Sequence, residues 1–171
     1  MNNWYALYLR SRYEKKVFKY LQEKQIESFL PLIDEVHVWS DRKRKVEEPL
    51  FRGYVFVKSD LRDRYTILET DGVIRFVGIR GKPSAISDEE IDWLRRIIRK
   101  PEHVQREQYL EVGERVRVVA GPLIGVEGLV RQLNGHTRVV ISLASIVQSV
   151  SVQVDSDLLE PIAAKEGLLV L

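Results

Sequence analysis

The sequence contains no cysteine among its 171 residues. This absence excludes disulfide bonds, thiolate metal ligands and a cysteine nucleophile, and it fits a reducing compartment. No stretch approaches the roughly 20 apolar residues that a membrane-spanning helix requires. The opening residues Met1–Arg10 also lack the basic segment and apolar run of a secretory signal. We therefore expect a soluble, cytoplasmic protein that makes no contact with a membrane.

The short motifs of catalysis are also missing. The sequence has no G-x-S-x-G, no G-x-x-x-x-G-K-[ST] and no Rossmann glycine pattern, so acyl transfer and nucleotide hydrolysis have no support. Its three histidines, His37, His103 and His136, do not have metal-ligand spacing. We expect a binding protein rather than an enzyme, with no catalytic residue, metal or cofactor.

Charge is distributed unevenly along the chain. The net charge is only +2, yet residues 1–100 hold 21 Lys and Arg against 16 Asp and Glu, and residues 101–171 hold 6 against 9. This difference predicts two modules with different partners, the first of which lies near a polyanion.

Residues 1–100 predict an α+β domain. Its elements follow the order strand, helix, strand, strand, helix, strand, with one additional helix. Ser11 and Ser87 each begin an S-x-x-E capping box, which predicts two helix starts. Residues 26–39 predict one extended strand, at a sheet edge because of Pro31. This order is the ferredoxin-like βαββαβ arrangement, in which the first and third strands are central neighbours.

The stretch Pro49–Lys58 organises that domain. Alternation places Tyr54 and Phe56 on one face of a strand and Val55 and Val57 on the other, which resembles core. Tyr8, on the neighbouring first strand, would join the two aromatic rings. If helices cover only the opposite face, these rings form an uncovered docking surface; the alternative is that they are ordinary core aromatics.

A run of four cations, Arg42, Lys43, Arg44 and Lys45, lies between two strand-like segments. It predicts the tip of a hairpin or loop that would attract phosphates through charge alone. The alternative is a turn whose charges only keep it soluble.

Beyond a predicted linker at 101–109, the sequence predicts a small all-β barrel over 110–162 and a tail at 163–171. Short strands rich in β-branched residues follow one another. Asn134-Gly135 predicts a tight hairpin turn. Gly121, Gly125 and Gly128 mark another turn.

One possible partner is single-stranded RNA. Residues 52–57, RGYVFV, partly satisfy the K/R-G-F/Y-G/A-F-V-x-F/Y signature of RNA-recognition motifs, with departures at Val55 and Ser59. Tyr8 would supply a companion ring for base stacking. Against this interpretation, the third aromatic of the signature is missing and the second module is left unexplained.

Over residues 4 to 162 the chain resembles the NusG family of transcription elongation factors. The resemblance rests on the order and spacing of several segments: WYALY, YEKKV, PLFRGYVFV, DGVIRFVG, PSAISDEEI and the KOW-like run VRVVAGPLIGVEGLV. It implies an N-terminal domain that docks on the clamp helices of the large RNA polymerase subunit. It also implies an SH3-like KOW barrel that recruits a ribosomal or termination factor, in a protein we expect to be monomeric.

The resemblance also implies roles for particular residues. Tyr8, Phe51, Tyr54 and Phe56 would line the polymerase-binding depression, and Thr66 would lie near the polymerase gate loop. Upstream or non-template DNA would be approached by Arg10, Tyr20 and the cations Arg42, Lys43, Arg44 and Lys45. The KOW motif would include Gly121, Leu123, Gly125 and Gly128.

Three departures from the family pattern are present. Arg52 stands where the family usually has proline, Leu123 where it has an aromatic, and LASIV at 143–147 replaces the loop that touches the usual barrel partners. These departures predict a specialised, RfaH-like antitermination paralogue.

Overall fold

The computed structural model describes residues 1–40, 42–100, 103–107 and 113–163. The chain divides into two compact units, the first covering residues 1–102 and the second beginning at His103. Residue 41, the two ends of the predicted linker at 101–102 and 108–109, residues 110–112 of the predicted barrel and the predicted tail from 164 onward lie outside the described residues.

The first unit is built on an antiparallel sheet. Its elements are β1 (Asn3–Leu9), α1 (Glu14–Glu23), β2 (Ser28–Phe29), β3 (Leu32–Val38), β4 (Lys43–Pro49), β5 (Tyr54–Ser59), α2 (Arg64–Leu68), β6 (Val73–Phe76), β7 (Gly78–Ile79), β8 (Lys82–Pro83), β9 (Ala85–Ile86) and α3 (Asp88–Ile97). The sheet has the strand order β2-β5-β1-β6, and β9 also pairs with β1. This order confirms the ferredoxin-like arrangement predicted from the sequence.

One face of this sheet packs against α1 and α2. Val55 and Val57 are completely buried, in a cluster that includes Val17 and Leu21 of α1 and Ile67 of α2. Burial of such side chains is worth about 1.5–3 kcal/mol each. The Val55/Val57 face is therefore core, as the alternation predicts.

The two predicted capping boxes have different outcomes. At α3 the Ser87 hydroxyl accepts the N–H of Glu90 at 3.1 Å, and the Glu90 carboxylate accepts the N–H of Ser87 at 3.0 Å. The prediction at Ser11 is wrong, because Tyr13 precedes the first residue of α1 and no side chain caps it. Glu14 instead accepts the N–H of Gly53 at 2.7 Å, which ties the helix start to the beginning of β5.

We predict that Ser87→Ala lowers the free energy of unfolding of the first unit by about 1 kcal/mol, because the N–H of Glu90 loses the hydroxyl that accepts its hydrogen bond. Urea denaturation followed by tryptophan fluorescence measures the change. Ser11→Ala removes the same hydroxyl from a box that does not form, and it should change stability by less than about 0.5 kcal/mol. Equal losses in both variants would contradict the assignment.

Residues 26–39 do not form the single strand predicted for them. Pro31 separates β2, at the edge of the sheet, from β3, and β3 pairs with β4 as a separate two-stranded ribbon. The cationic run is also placed differently from the prediction. Arg42 lies in the turn, but Lys43–Lys45 begin β4, opposite Val36–Val38.

The second unit is a six-stranded antiparallel sheet. Its strands are β10 (Val104–Glu107), β11 (Arg115–Val118), β12 (Glu127–Leu133), β13 (His136–Leu143), β14 (Gln148–Gln153) and β15 (Leu159–Pro161). Their order in the sheet is β10-β14-β13-β12-β11-β15. Asn134 and Gly135 connect β12 to β13 with φ values of 51° and 79°, which confirms the predicted hairpin.

Strand β10 lies within the predicted linker and corrects that boundary. Its Glu107 accepts hydrogen bonds from Arg131 and from Ser151, both at 2.8 Å. Arg138, only 4% exposed, donates to the carbonyl oxygen of His103 at 2.7 Å and to the Ser151 hydroxyl. The segment therefore belongs to the sheet of the second unit, and its Glu107 takes part in a largely buried network of hydrogen bonds.

Candidate functional site

The second face of the first unit's sheet carries an aromatic surface. Antiparallel pairing places Tyr8 opposite Tyr54, Ala6 opposite Phe56 and Trp4 opposite Lys58. Phe29 of β2 pairs with Phe56 from the other side. We call these residues, which all project from the same side of the sheet, the aromatic face.

Tyr8 and Tyr54, the tyrosine pair, form the open end of the aromatic face. Their ring centroids are 5.6 Å apart, and Tyr8 is 37% exposed while Tyr54 is half-buried. The guanidinium of Arg75 lies 5.3 Å from the centre of the Tyr8 ring. Burial raises the pKa of the Tyr54 hydroxyl, and the neighbouring Tyr8 raises it further, so this hydroxyl stays protonated and uncharged.

Phe51 and Phe56 are not uncovered, contrary to the expectation from the sequence. Both are buried, with exposed fractions of 1% and 0%. The Phe56 ring stacks on Phe29 at 6.1 Å and meets the Phe51 ring edge-on at 5.8 Å. These two rings form a closed hydrophobic layer next to the tyrosine pair, because each has an aromatic neighbour that removes it from solvent.

Helix α3 accounts for the covered end of the aromatic face. Asp88 accepts hydrogen bonds from the Trp4 indole at 2.9 Å and from Lys58 at 2.7 Å. Arg95 lies 5.3 Å from the Trp4 ring and 5.4 Å from the Phe29 ring. The condition that helices cover only the opposite face is therefore not met. The Lys58 ammonium lowers the pKa of Asp88.

A second group of side chains combines cations with aromatic rings on α1 and the turn before it. The Lys16 ammonium lies 4.8 Å from the Tyr13 ring and 5.7 Å from the Tyr20 ring. The Arg10 guanidinium lies 6.0 Å from the Tyr13 ring. We call Arg10, Tyr13, Lys16 and Tyr20 the basic-aromatic cluster. The family resemblance implies a role only for Arg10 and Tyr20 among these four, because the contacts of Tyr13 and Lys16 depend on the helix geometry.

The β3–β4 ribbon separates charge along its length. Its tip carries the exposed cations Arg42, Lys43, Arg44 and Lys45. Carboxylates lie closer to its root, and the His37 ring, on the residue opposite Arg44, lies 3.8 Å from Glu35 and 3.7 Å from Glu48. A ribbon with cations at its tip presents them to a polyanion.

Thr66 lies on α2, which packs against the core face rather than the aromatic face. Thr66 is exposed, and its carbonyl oxygen accepts a hydrogen bond from Lys24 at 2.9 Å. Any contact that Thr66 makes is therefore separate from a contact with the tyrosine pair.

The glycine-rich run of the second unit forms the connection between β11 and β12. Gly121 and Gly125 have φ values of 82° and 86°, a conformation that favours glycine. Leu123 is buried beneath this loop, with 8% exposure. Gly128 is the second residue of β12, opposite Val116, and a Cβ there would clash with the carbonyl oxygen of Val140.

Within the described ranges, no group of three or more His, Asp or Glu residues could hold a metal ion. In the same part of the chain, no helix has the length and apolar character needed to cross a membrane.

Comparisons with known proteins point to one family. A family profile described as "Transcription termination factor nusG" matches residues 2–95. The chain is 32% identical over 151 residues to the transcription termination/antitermination protein NusG of Halalkalibacterium halodurans, covering 80% of this chain and 84% of that protein. The identically named Pseudomonas aeruginosa protein is 28% identical over 173 residues, covering 93% and 98%.

Among solved structures, the chain is similar to one described as "Domain interaction in Thermotoga maritima NusG". The TM-score is 0.54 at 21% sequence identity, over 95% of this chain and 98% of that one. This similarity supports the fold.

Proposed function

Since this chain belongs to the NusG family of transcription termination and antitermination factors, we propose that the tyrosine pair docks it on the clamp helices of the large RNA polymerase subunit. The observation that carries this proposal is the open, cross-strand contact of Tyr8 with Tyr54 beside a closed aromatic layer. Tyrosines in such positions bury a large area on binding at little cost in conformational entropy.

In this proposal Phe51 and Phe56 support the tyrosine pair and do not contact the polymerase. Because both are buried, they do not themselves offer a free surface. They support the tyrosine pair by filling the space next to it, and a rigid support lowers the cost of ordering an interface. Arg75, held over the Tyr8 ring, supplies a cation at the edge of the same surface.

Thr66 would make a second, separate contact near the polymerase gate loop. Its position on the opposite layer of the domain fits a protein that spans two parts of a larger assembly. Two separate contacts increase affinity because the second one forms within the same complex.

Nucleic acid is the other proposed partner of the first unit. Arg10 and Tyr20, with the ribbon-tip cations Arg42–Lys45, would approach upstream or non-template DNA. These contacts would be made to phosphates, so they would position the protein without reading sequence.

The mechanism we propose is a population shift. A ligand that binds the closed clamp more tightly than the open clamp favours the closed state by its difference in affinity. Binding across the clamp would therefore suppress pausing or termination without any chemical step. We infer that the protein is not an enzyme and works in the cytoplasm, where a bacterial polymerase transcribes.

The second unit would recruit a further factor, such as a ribosomal or termination protein. The specialised, RfaH-like role stays a prediction, based on Arg52, Leu123 and residues 143–147. The relatives described above bear the name of the general factor.

A binding experiment separates the polymerase proposal from the RNA alternative. The tagged full chain is immobilised, and its retention of nuclease-treated core RNA polymerase is measured. Its affinity for a labelled single-stranded RNA is measured in parallel. We expect retention of polymerase and weak RNA binding, because α3 and the buried Phe56 leave few open rings for base stacking. Submicromolar RNA affinity without polymerase retention would favour the RNA interpretation.

A further inference from the structure

Asp71 lies against the basic-aromatic cluster. One carboxylate oxygen accepts a hydrogen bond from Arg10 at 3.3 Å, and the other lies 3.4 Å from the Lys16 ammonium. Asp71 is far from both cations in the sequence, so only the fold brings the three together. Two cations therefore share one anion that the chain itself provides.

The backbone holds this carboxylate in place. The N–H of Arg10 donates to the carbonyl oxygen of Gly72 at 2.9 Å, directly after Asp71. The Tyr13 ring packs so closely on Gly72 that a Cβ at this position would clash with it. Asp71 is consequently fixed next to the cluster by main-chain contacts, independently of its own ion pairs.

The arrangement remains open to solvent. The side chains of Arg10, Lys16 and Asp71 are 62%, 48% and 53% exposed. Ion pairs this exposed contribute little free energy, so another anion that binds both cations can replace the carboxylate. A phosphate diester has the same charge, and Arg and Lys bind it readily beside aromatic rings. Asp71 also raises the pKa of Lys16, which keeps the amine charged.

We propose that Arg10, Lys16 and Tyr13 form a phosphodiester-binding site whose resident anion is Asp71. This inference rests on the proposed contact between the first unit and DNA. A DNA phosphate must displace the carboxylate before it can occupy the site. The built-in anion lowers affinity for free DNA, so stable DNA contact requires the additional attachment that polymerase supplies.

The test is Asp71→Asn in the full chain, which keeps the side-chain shape and removes the charge. Fluorescence anisotropy with a labelled DNA of mixed sequence should show about three- to tenfold tighter binding. The plot of log affinity against log salt concentration should also become steeper by up to about one ion. In the wild type the displaced Asp71 carboxylate takes up a counter-ion when DNA binds, and in Asp71→Asn this uptake is absent.

The matched control is Glu23→Gln. Glu23 lies on α1, the helix that carries Lys16, and its carboxylate pairs with Lys19 at 3.9 Å. Glu23→Gln changes the net charge by the same amount as Asp71→Asn. We expect less than a twofold effect on DNA affinity. Equal strengthening by both variants would overturn the proposal, because net charge alone would then explain the gain.

A second variant tests the site itself. Adding Arg10→Ala to Asp71→Asn should abolish the gain in affinity, whereas a gain that persists would place the phosphate elsewhere and overturn the proposal. Retention of core polymerase, measured on the same proteins, should be unchanged. If the wild type does not retain core polymerase, the proposed docking is wrong. If Asp71→Asn binds DNA with wild-type affinity, only the phosphodiester site is wrong.

Discussion

Replacing Tyr8 and Tyr54 together by alanine is expected to weaken binding to core RNA polymerase by about a thousandfold. Truncating a central aromatic anchor costs about 2 kcal/mol or more, and two such losses correspond to roughly three orders of magnitude. The fold should survive, because Tyr8 is exposed and Tyr54 only half-buried, whereas Phe51 and Phe56 keep the neighbouring layer closed. Titration of nuclease-treated polymerase with labelled protein measures the change.

Two control variants make this prediction specific. Tyr8→Phe with Tyr54→Phe keeps both rings and removes only the hydroxyls, so it should weaken binding less than tenfold. Trp39→Ala removes a ring that is 60% exposed on the β3–β4 ribbon, and it should leave polymerase affinity unchanged. Wild-type affinity in the double alanine variant would refute docking through the tyrosine pair, as would an equal loss in Trp39→Ala.

The second large effect is expected for Gly128→Ala, which should destabilise the second unit by about 3 kcal/mol. The new methyl group would clash with the carbonyl oxygen of Val140 and with the Val139 side chain. Both belong to β13, which is bonded to its neighbours on either side and cannot easily move away. Hydrogen exchange of the β12 and β13 amides reports the loss without interference from the first unit.

Gly135→Ala is the matched comparison. Unlike Gly128, Gly135 has a positive φ, 79°, and no atom lies within 4 Å of a Cβ placed there. Only the backbone penalty of about 1 kcal/mol then applies. If the two alanine variants are equally stable, close strand contact is not the reason for glycine at position 128.

The sequence predicted the strand order of the first unit because alternation and helical periodicity are local signals. Val55 and Val57 point to the core and Tyr54 to the other face, as their spacing indicates. Ser87 shows that a capping box is reliable where the chain enters the helix directly. Ser11 shows the limit, because the chain turns through Arg12 at a φ of 65° before α1 begins.

The site was less predictable, because exposure depends on what the rest of the chain places over a strand. Alternation assigns Phe56 and Tyr54 to the same face but does not reveal that α3 crosses the Trp4 end of it. The pairing of Asp71 with Arg10 and Lys16 has no sequence signature either. It joins residues more than 50 positions apart through side-chain contacts.

Strand β10 determines where an independently studied C-terminal fragment has to start. A fragment cut at residue 110, at the end of the predicted linker, would lose the strand that pairs with β14 and would leave that edge open to other chains. It would also remove Glu107 and the His103 carbonyl, leaving Arg138 and Arg131 without these acceptors. Aggregation of such a fragment would then report the missing strand rather than the behaviour of the domain.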